Sequence, residues 1–163
     1  MGDVGTFEMP KCLISIKSQV NHTHRSVAIL AEHAASDMNL GEIFKNLGAS
    51  EERYYLKSFE YWVGGFHNNE RFHGWNKSQH DGKYTKCYVF KNVSQAARLY
   101  GFLCRPKSND PNYEMCLLVL YAQKKKWKTD TAELERAKAM INDPDILTAL
   151  KDPKLFTEGK GEK

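Results

Sequence analysis

Three segments in the second half of the chain carry apolar residues in the patterns of β-strands. We predict strands over residues 84–91, 97–105 and 113–123, joined by polar links of hairpin length. The run from Leu117 to Leu120 is apolar at successive positions, which is typical of a strand buried on both faces in the middle of a sheet. Together the three segments predict an antiparallel meander.

The first sixty residues predict a strand followed by helices. An apolar run gives a short strand over 11–20, and apolar positions at helical spacing give a helix over 26–38. Asn39 can cap a second helix that ends at Gly48. The pattern over 51–63 fits a helix or an extended segment equally well. We therefore expect a helical pair to cover one face of the sheet.

A change of composition separates these parts. Residues 64–82 are rich in Gly, Asn and His, which predicts a long loop of the kind that is usually functional or mobile. Asp130 with Glu133 forms a capping-box pattern for a C-terminal helix, and Pro144 can open another short helix. Residues 1–10 are expected to form a loose leader and 153–163 a disordered tail.

The predicted class is an α+β domain over residues 11–152 with an antiparallel meander sheet, an N-terminal helical pair on one face and a C-terminal helix. A chain of 163 residues is one domain's worth and can bury a core without staples. Its four cysteines form no CxxC pair, and it has neither a signal-peptide pattern nor an apolar run of about 20 residues. These features favour a reducing, cytoplasmic location.

Positive charge is concentrated in the predicted strands. Residues 83–128 hold ten lysines and arginines against two acids, a net of +8, although the whole chain is only +4. Eight tyrosine, phenylalanine and tryptophan side chains are interleaved with these cations. A basic sheet that bears aromatic side chains suits a polyanion with stackable bases, so we expect RNA or another nucleic acid as a partner.

Arg98 is the central candidate on this sheet. Strand alternation places Arg98, Tyr100 and Phe102 on one face, and Leu99 and Leu103 on the other. An unpaired arginine is costly to bury, so this face should be open, where the guanidinium could hold a phosphate bidentately. The alternative is a surface residue paired with an acid.

Lys91 ends the preceding predicted strand. If the hairpin between the two strands pairs regularly, Lys91 lies near the strand that carries Arg98. The alternative is an inert lysine at the polar rim of a turn.

A lysine-rich run follows the predicted central strand. Lys124, Lys125, Lys126 and Lys128 surround Trp127, which suggests a rim that contacts phosphates with an indole available for stacking. The alternative is a solvated strand exit whose lysines prevent edge-to-edge aggregation.

Metal and nucleotide sites receive little support. His67, His73 and His80 lie in the predicted loop, but neither an HExxH motif nor a paired His/Cys spacing accompanies them, so we predict no metal site and no cofactor. A histidine could still transfer a proton in RNA cleavage. GxGxxG, GxxxxGK[ST] and GxSxG motifs are also missing from the sequence.

Several of these segments occur in a familiar order. The chain carries Tyr88-Val89-Phe90-Lys91, then Ala97-Arg98-Leu99-Tyr100-Gly101-Phe102, then the apolar run from Leu117 that leads into Lys124-Lys125-Lys126-Trp127-Lys128-Thr129-Asp130, and then a helix with Glu133, Ala137 and Lys138. This combination, over about residues 84–142, resembles the RelE/HigB toxin superfamily, in particular its phage-derived HigB-like branch. Lys91 stands where that family usually has arginine.

The resemblance implies a RelE-like fold and a ribosome-associated, metal-independent endoribonuclease that cleaves mRNA by attack of the substrate's own 2′-hydroxyl. It implies phosphate and transition-state roles for Arg98 and Lys91, RNA binding or proton transfer for Lys124 and Lys125, and an acid/base role for His80. The expected partner is a small protein antitoxin, often with a helix-turn-helix. Further RNA-binding positions are Lys86, Tyr100, Arg105, Tyr121, Lys126, Trp127 and Lys128.

Two other functions stay open at this point. One is a non-catalytic RelE- or ParE-like protein, and the other is a nucleic-acid-binding module with a basic sheet. Cleavage of ribosome-bound mRNA separates the nuclease from both, because a binding module would show only a salt-dependent association.

Overall fold

The computed structural model describes residues 12–20, 24–34, 38–123, 131–152 and 155. The described strands are β1 (Cys12–Val20), β2 (Arg25–His33), β3 (Phe72–Gly74), β4 (Cys87–Asn92), β5 (Ala97–Cys104) and β6 (Glu114–Gln123). The described helices are α1 (Leu40–Asn46), α2 (Ala49–Val63), α3 (Thr131–Ala139) and α4 (Pro144–Lys151). These elements form an α+β structure, as the sequence predicts.

All six strands join one sheet in the order β1-β2-β6-β5-β4-β3. The predicted meander of β4, β5 and β6 is antiparallel, and β6 is an interior strand. The prediction of a purely antiparallel sheet is wrong, since β2 runs parallel to β6. The mixed sheet arises because the chain passes from β2 through α1 and α2 to the far edge and returns strand by strand to β6.

Strand β2 replaces the helix predicted over residues 26–38. Its residues from Ser26 to Ala31 are all buried, because β2 lies between β1 and β6 and has a covered surface on both faces. Ala28 and Leu30 enter one core cluster, whereas Val27 and Ile29 enter the other. A strand that is apolar at both parities also contains apolar residues at helical spacing, which explains the wrong prediction.

Helices cover both faces of the sheet. The α1–α2 pair packs on one face, where the rings of Phe59 and Phe90 meet edge to face at 5.0 Å between centroids. The predicted second helix is confirmed as α1, and the undecided stretch after it forms α2. Helices α3 and α4 pack on the opposite face with Leu134, Ile146 and Leu150. No helix in the described residues is long and apolar enough to cross a membrane.

The close pairing of β5 with β6 requires a glycine at position 101. A β-bulge shifts the register after Tyr100, so that Tyr100 pairs with Leu120 and Gly101 with Leu118. A Cβ atom on residue 101 would lie 2.0 Å from the carbonyl oxygen of Leu117. Only a residue without a side chain allows β6 to approach this closely.

The long loop predicted over 64–82 is partly regular. Phe72–Gly74 forms the edge strand β3, a 3-10 turn covers His80–Gly82, and Phe72 and Trp75 are buried. Burial of these two aromatic side chains holds β3 against the sheet, although the residues around it are polar. The predicted leader lies outside the described residues, as does the predicted tail apart from Leu155, which is buried against the α3–α4 side of the sheet.

Candidate functional site

Lys91 and Arg98 are direct partners on neighbouring strands. They pair in the antiparallel register of β4 and β5, which confirms that Lys91 lies beside the strand of Arg98. They share a sheet face with Val89 and Tyr100, two residues away on the same strands, because side chains of one parity point to one side. Both side chains are only partly buried. The pairing therefore places two cations side by side on the face that also carries α3.

The environment of Lys91 favours release of its proton. Burial lowers the pKa of the Lys91 ammonium from its ordinary value of 10.5, the charge of Arg98 lowers it further, and Glu70 opposes the change. Two neighbouring like charges repel each other, and an arriving phosphate would relieve that repulsion. The pair is thus suited to hold an anion.

His73 joins this pair from the edge strand β3. It lies opposite Val89 in β4, one step along the same face from Lys91. Burial lowers the pKa of His73 from 6.5, and the charges of Lys91 and Arg98 lower it further, against the effect of a hydrogen bond to Gly74. The imidazole is therefore neutral at physiological pH.

The tautomer of His73 follows from one hydrogen bond. Its Nδ1 lies 2.9 Å from the carbonyl oxygen of Gly74. A carbonyl oxygen only accepts, so Nδ1 carries the proton and Nε2 keeps its lone pair. Neutral imidazole with a fixed tautomer is a proton acceptor. Three residues are too few to show a period, so no local signal in the sequence could have identified this residue.

Neither of the two predicted tyrosines offers an open ring beside Lys91 and Arg98. Tyr100 is fully buried in the core beneath α3, so its ring is not exposed to stack on a base as predicted. Tyr121 lies on the opposite face, where its hydroxyl donates to Glu51 at 3.1 Å. Both rings are packing elements because the sheet is covered on both faces.

Lys86 and Arg105 lie at the opposite end of the same strands. Five residues separate Lys86 from Lys91, which is about 16 Å at roughly 3.3 Å per residue. Arg105 donates to the carbonyl oxygen of Pro111 at 2.8 Å and lies 4.0 Å from Glu114. The basic surface predicted as one face is therefore divided between the two ends of the strands.

His80 occupies a turn outside the strands. It is exposed, with a backbone φ of 50°, and its ring centroid lies 5.3 Å from that of Tyr84. Within the described residues, the histidine that lies beside Lys91 and Arg98 is His73. The predicted positions Lys124, Lys125, Lys126, Trp127 and Lys128 lie outside the described residues, and the last described residue before them, Gln123, pairs with Ala97.

A second polar group connects β2 to α4. His33, Asp143 and Asp145 each place one potential metal-ligand atom within 4.8 Å of the others, a juxtaposition hidden in the sequence by the 110 residues between His33 and Asp143. Nε2 of His33 lies 3.1 Å from Oδ1 of Asp143, which also accepts from the backbone of Ile146 to cap α4. Strands β6 and β5 separate this group from Lys91.

The carboxyl of Asp143 is held as an anion. Burial alone would raise its pKa, but hydrogen bonds from the Ile146 amide and from His33 outweigh burial, so that the pKa falls below 3.8. A partly buried carboxylate with two donors is a fixed anchor. This group therefore attaches the C-terminal helix to the sheet.

Comparisons with known proteins return no match. No family model matches the chain, and no curated protein and no solved structure does either.

Proposed function

We propose that this chain is the toxin of a toxin–antitoxin pair, a cytoplasmic, ribosome-associated endoribonuclease that cleaves mRNA without a metal ion. The observation that carries the proposal is the placement of His73 beside the Lys91–Arg98 pair on one sheet face. A neutral base beside two cations matches the needs of a phosphodiester attacked by its own 2′-hydroxyl.

The first step is removal of a proton from the 2′-hydroxyl. Nε2 of His73 takes this proton, and the 2′-oxygen attacks the adjacent phosphorus. The hydrogen bond from Nδ1 to Gly74 holds the ring in the tautomer that can accept it. Such a base contributes about a hundredfold to ten-thousandfold to the rate.

Negative charge grows on the phosphoryl oxygens as the new bond forms. The guanidinium of Arg98 can bind two of these oxygens with parallel hydrogen bonds, and Lys91 adds a second charge. Because the intermediate carries two negative charges and the substrate one, the two cations stabilise the intermediate more than the substrate.

The last step is departure of the 5′-oxygen, which needs a proton. Lys91 is the donor, since its lowered pKa makes the ammonium a stronger acid than an ordinary lysine. The P–O5′ bond breaks, and the products are a 2′,3′-cyclic phosphate and a 5′-hydroxyl end. His73 is left protonated and Lys91 neutral, and exchange with water restores both.

Expression of the wild type and of Arg98→Ala in cells, with mapping of mRNA 5′ ends, tests the proposal. We expect the wild type to arrest growth and cut ribosome-bound mRNA, and Arg98→Ala to do neither. Arg53→Ala, which removes an exposed cation from α2, is the matched control and should behave as the wild type.

Absence of growth arrest and of new mRNA ends with the wild-type protein would refute the nuclease proposal. If the same protein binds RNA with an affinity that falls steeply with salt, the basic-sheet binding module takes its place.

A further inference from the structure

An open cleft of about 920 Å³ lies between the α4 side of the molecule and the end of the sheet opposite Lys91. Its lining comes from the residues before β4, the end of β5, the start of β6, and α4 with the turn before it. Small-molecule sites typically measure about 300–1,000 Å³. The cleft is therefore large enough for a ligand rather than only for water.

The interior of the cleft is apolar. Phe102 and Leu150 contribute nearly buried surfaces, and Leu103 and Ile141 contribute partly buried ones. Leu147 on α4 adds a side chain that is 40 % exposed. An exposed leucine beside a concave apolar wall provides a surface on which the apolar chain or ring of a ligand can be buried.

The charged residues of the cleft are mostly positive. Lys86, Arg105 and Lys151 line it, with Glu114 as the acidic residue among the lining side chains. Glu114 lies 3.9 Å from Arg25 and 4.0 Å from Arg105, so its charge is already balanced. Neither Lys86 nor Lys151 forms an ion pair in the part of the chain that the structure describes.

We propose that this cleft binds a small amphipathic anion, with its apolar part on Leu147, Leu150 and Phe102 and its anionic head group at Lys86 and Lys151. Charge complementarity selects the head group, because two exposed lysines that form no ion pair with any described residue attract an oxyanion. The apolar part supplies most of the affinity, since lysines at an exposed rim contribute little each. This site does not depend on the nuclease proposal, as it lies at the other end of the strands.

Titrations with dodecanoate and with dodecyl phosphate, below the concentrations at which they form micelles, test the proposal. Dodecyltrimethylammonium has the same chain with a cationic head and serves as the ligand control. We expect both anions to bind and to shift the NMR methyl signals of Ile141, Leu147 and Leu150, with the tighter anion identifying the preferred head group. The cation should bind at least about fivefold more weakly, given modest energies for exposed charges.

Two variants locate the site. Lys86→Gln combined with Lys151→Gln should weaken both anions by about fivefold to tenfold. Leu147→Glu should weaken them by more than about tenfold, because it replaces exposed apolar surface with a like charge. Lys45→Gln combined with Lys57→Gln removes two exposed lysines from the other face and should change nothing. Circular dichroism confirms that each variant is folded.

Three results would overturn the proposal. They are equal binding of the cation, unchanged affinity in the Lys86/Lys151 double variant, and methyl shifts outside the cleft. Binding of an acidic peptide in place of both amphiphiles would also overturn it and would assign the cleft to a protein partner. Loss of RNA cleavage by Arg98→Ala with dodecanoate binding retained would show that the two sites are separate.

Discussion

The Nδ1 atom of His73 is bound to the carbonyl oxygen of the next residue, Gly74, at 2.9 Å. The hydrogen bond is local, yet it fixes the chemistry of a ring that also lies beside Lys91 and Arg98 on the sheet. Because the proton is held on Nδ1, Nε2 is available as a base at every pH above the pKa of the ring.

The first prediction concerns pH. His73 must be neutral, so cleavage is lost as pH falls through its pKa, which lies below 6.5. Lys91 must be protonated, so cleavage is lost as pH rises through its pKa, which lies below 10.5. The pH–rate profile of purified protein on a short RNA should therefore be a bell with both limbs shifted to lower pH than for free side chains. His73→Gln should abolish the acidic limb, and its persistence would exclude His73 as the base.

The second prediction separates charge from proton transfer at Lys91. Lys91→Arg keeps the positive charge but does not release a proton at neutral pH. We expect RNA affinity to stay within about twofold of the wild type, by analogy with exposed phosphate contacts, and single-turnover cleavage to fall about a hundredfold or more. Lys91→Ala should reduce both the RNA affinity and the rate of single-turnover cleavage. Wild-type cleavage by Lys91→Arg would instead limit Lys91 to an electrostatic role.

The third prediction concerns the anchor at Asp143. Asp143→Ala removes the cap of α4 and the partner of His33, and should cost about 1–3 kcal/mol of unfolding free energy at pH 7 in urea titrations. The folded pKa is depressed, so this stability is present above about pH 4 and is lost as pH falls through the folded pKa. The difference in unfolding free energy between Asp143→Ala and the wild type should therefore become smaller in acid.

Asp81→Asn is the control for Asp143. It removes an exposed carboxylate at a left-handed backbone position, with φ of 56°, which asparagine tolerates well. Its stability should stay within about 0.5 kcal/mol of the wild type, as for other surface changes. An equal loss of unfolding free energy in Asp143→Ala and Asp81→Asn would mean that the change in net charge, and not loss of the anchor, causes the destabilisation.

The fourth prediction tests the bulge. Gly101→Ala places a methyl group 2.0 Å from the Leu117 carbonyl oxygen and should cost about 3 kcal/mol or more, measured by chemical denaturation. Gly48→Ala meets no atom within 4 Å and is the matched substitution. If both glycines tolerate alanine alike, β6 does not pack against β5 as closely as described.

The sequence predicted β4 and β5 from alternation, β6 from a short run of successive apolar residues between polar segments, and the first C-terminal helix from a cap. It failed for β2, where burial on both faces removes alternation and leaves residues such as Val27 and Leu30 at helical spacing. It also missed β3, because three residues are too few to show a period.

The candidate site was predictable in part for a similar reason. Lys91 and Arg98 are seven residues apart across one short turn, so hairpin geometry alone brings them together. His73 comes from a separate strand, and only the edge pairing of β3 with β4 places it there. Tyr100 was predicted to be exposed because alternation identifies which residues share a face but not what covers that face.

The parallel pairing of β2 with β6 also affects how the chain folds. Its first pair, Arg25 and Glu114, is 89 positions apart in the chain. Closing so long a segment costs entropy before any contact repays it, whereas the β4–β5–β6 meander closes through short links. We therefore expect the meander to form early and the N-terminal hairpin to dock onto β6 late, so that during synthesis and refolding the half that carries Lys91 and Arg98 is organised before the sheet is complete.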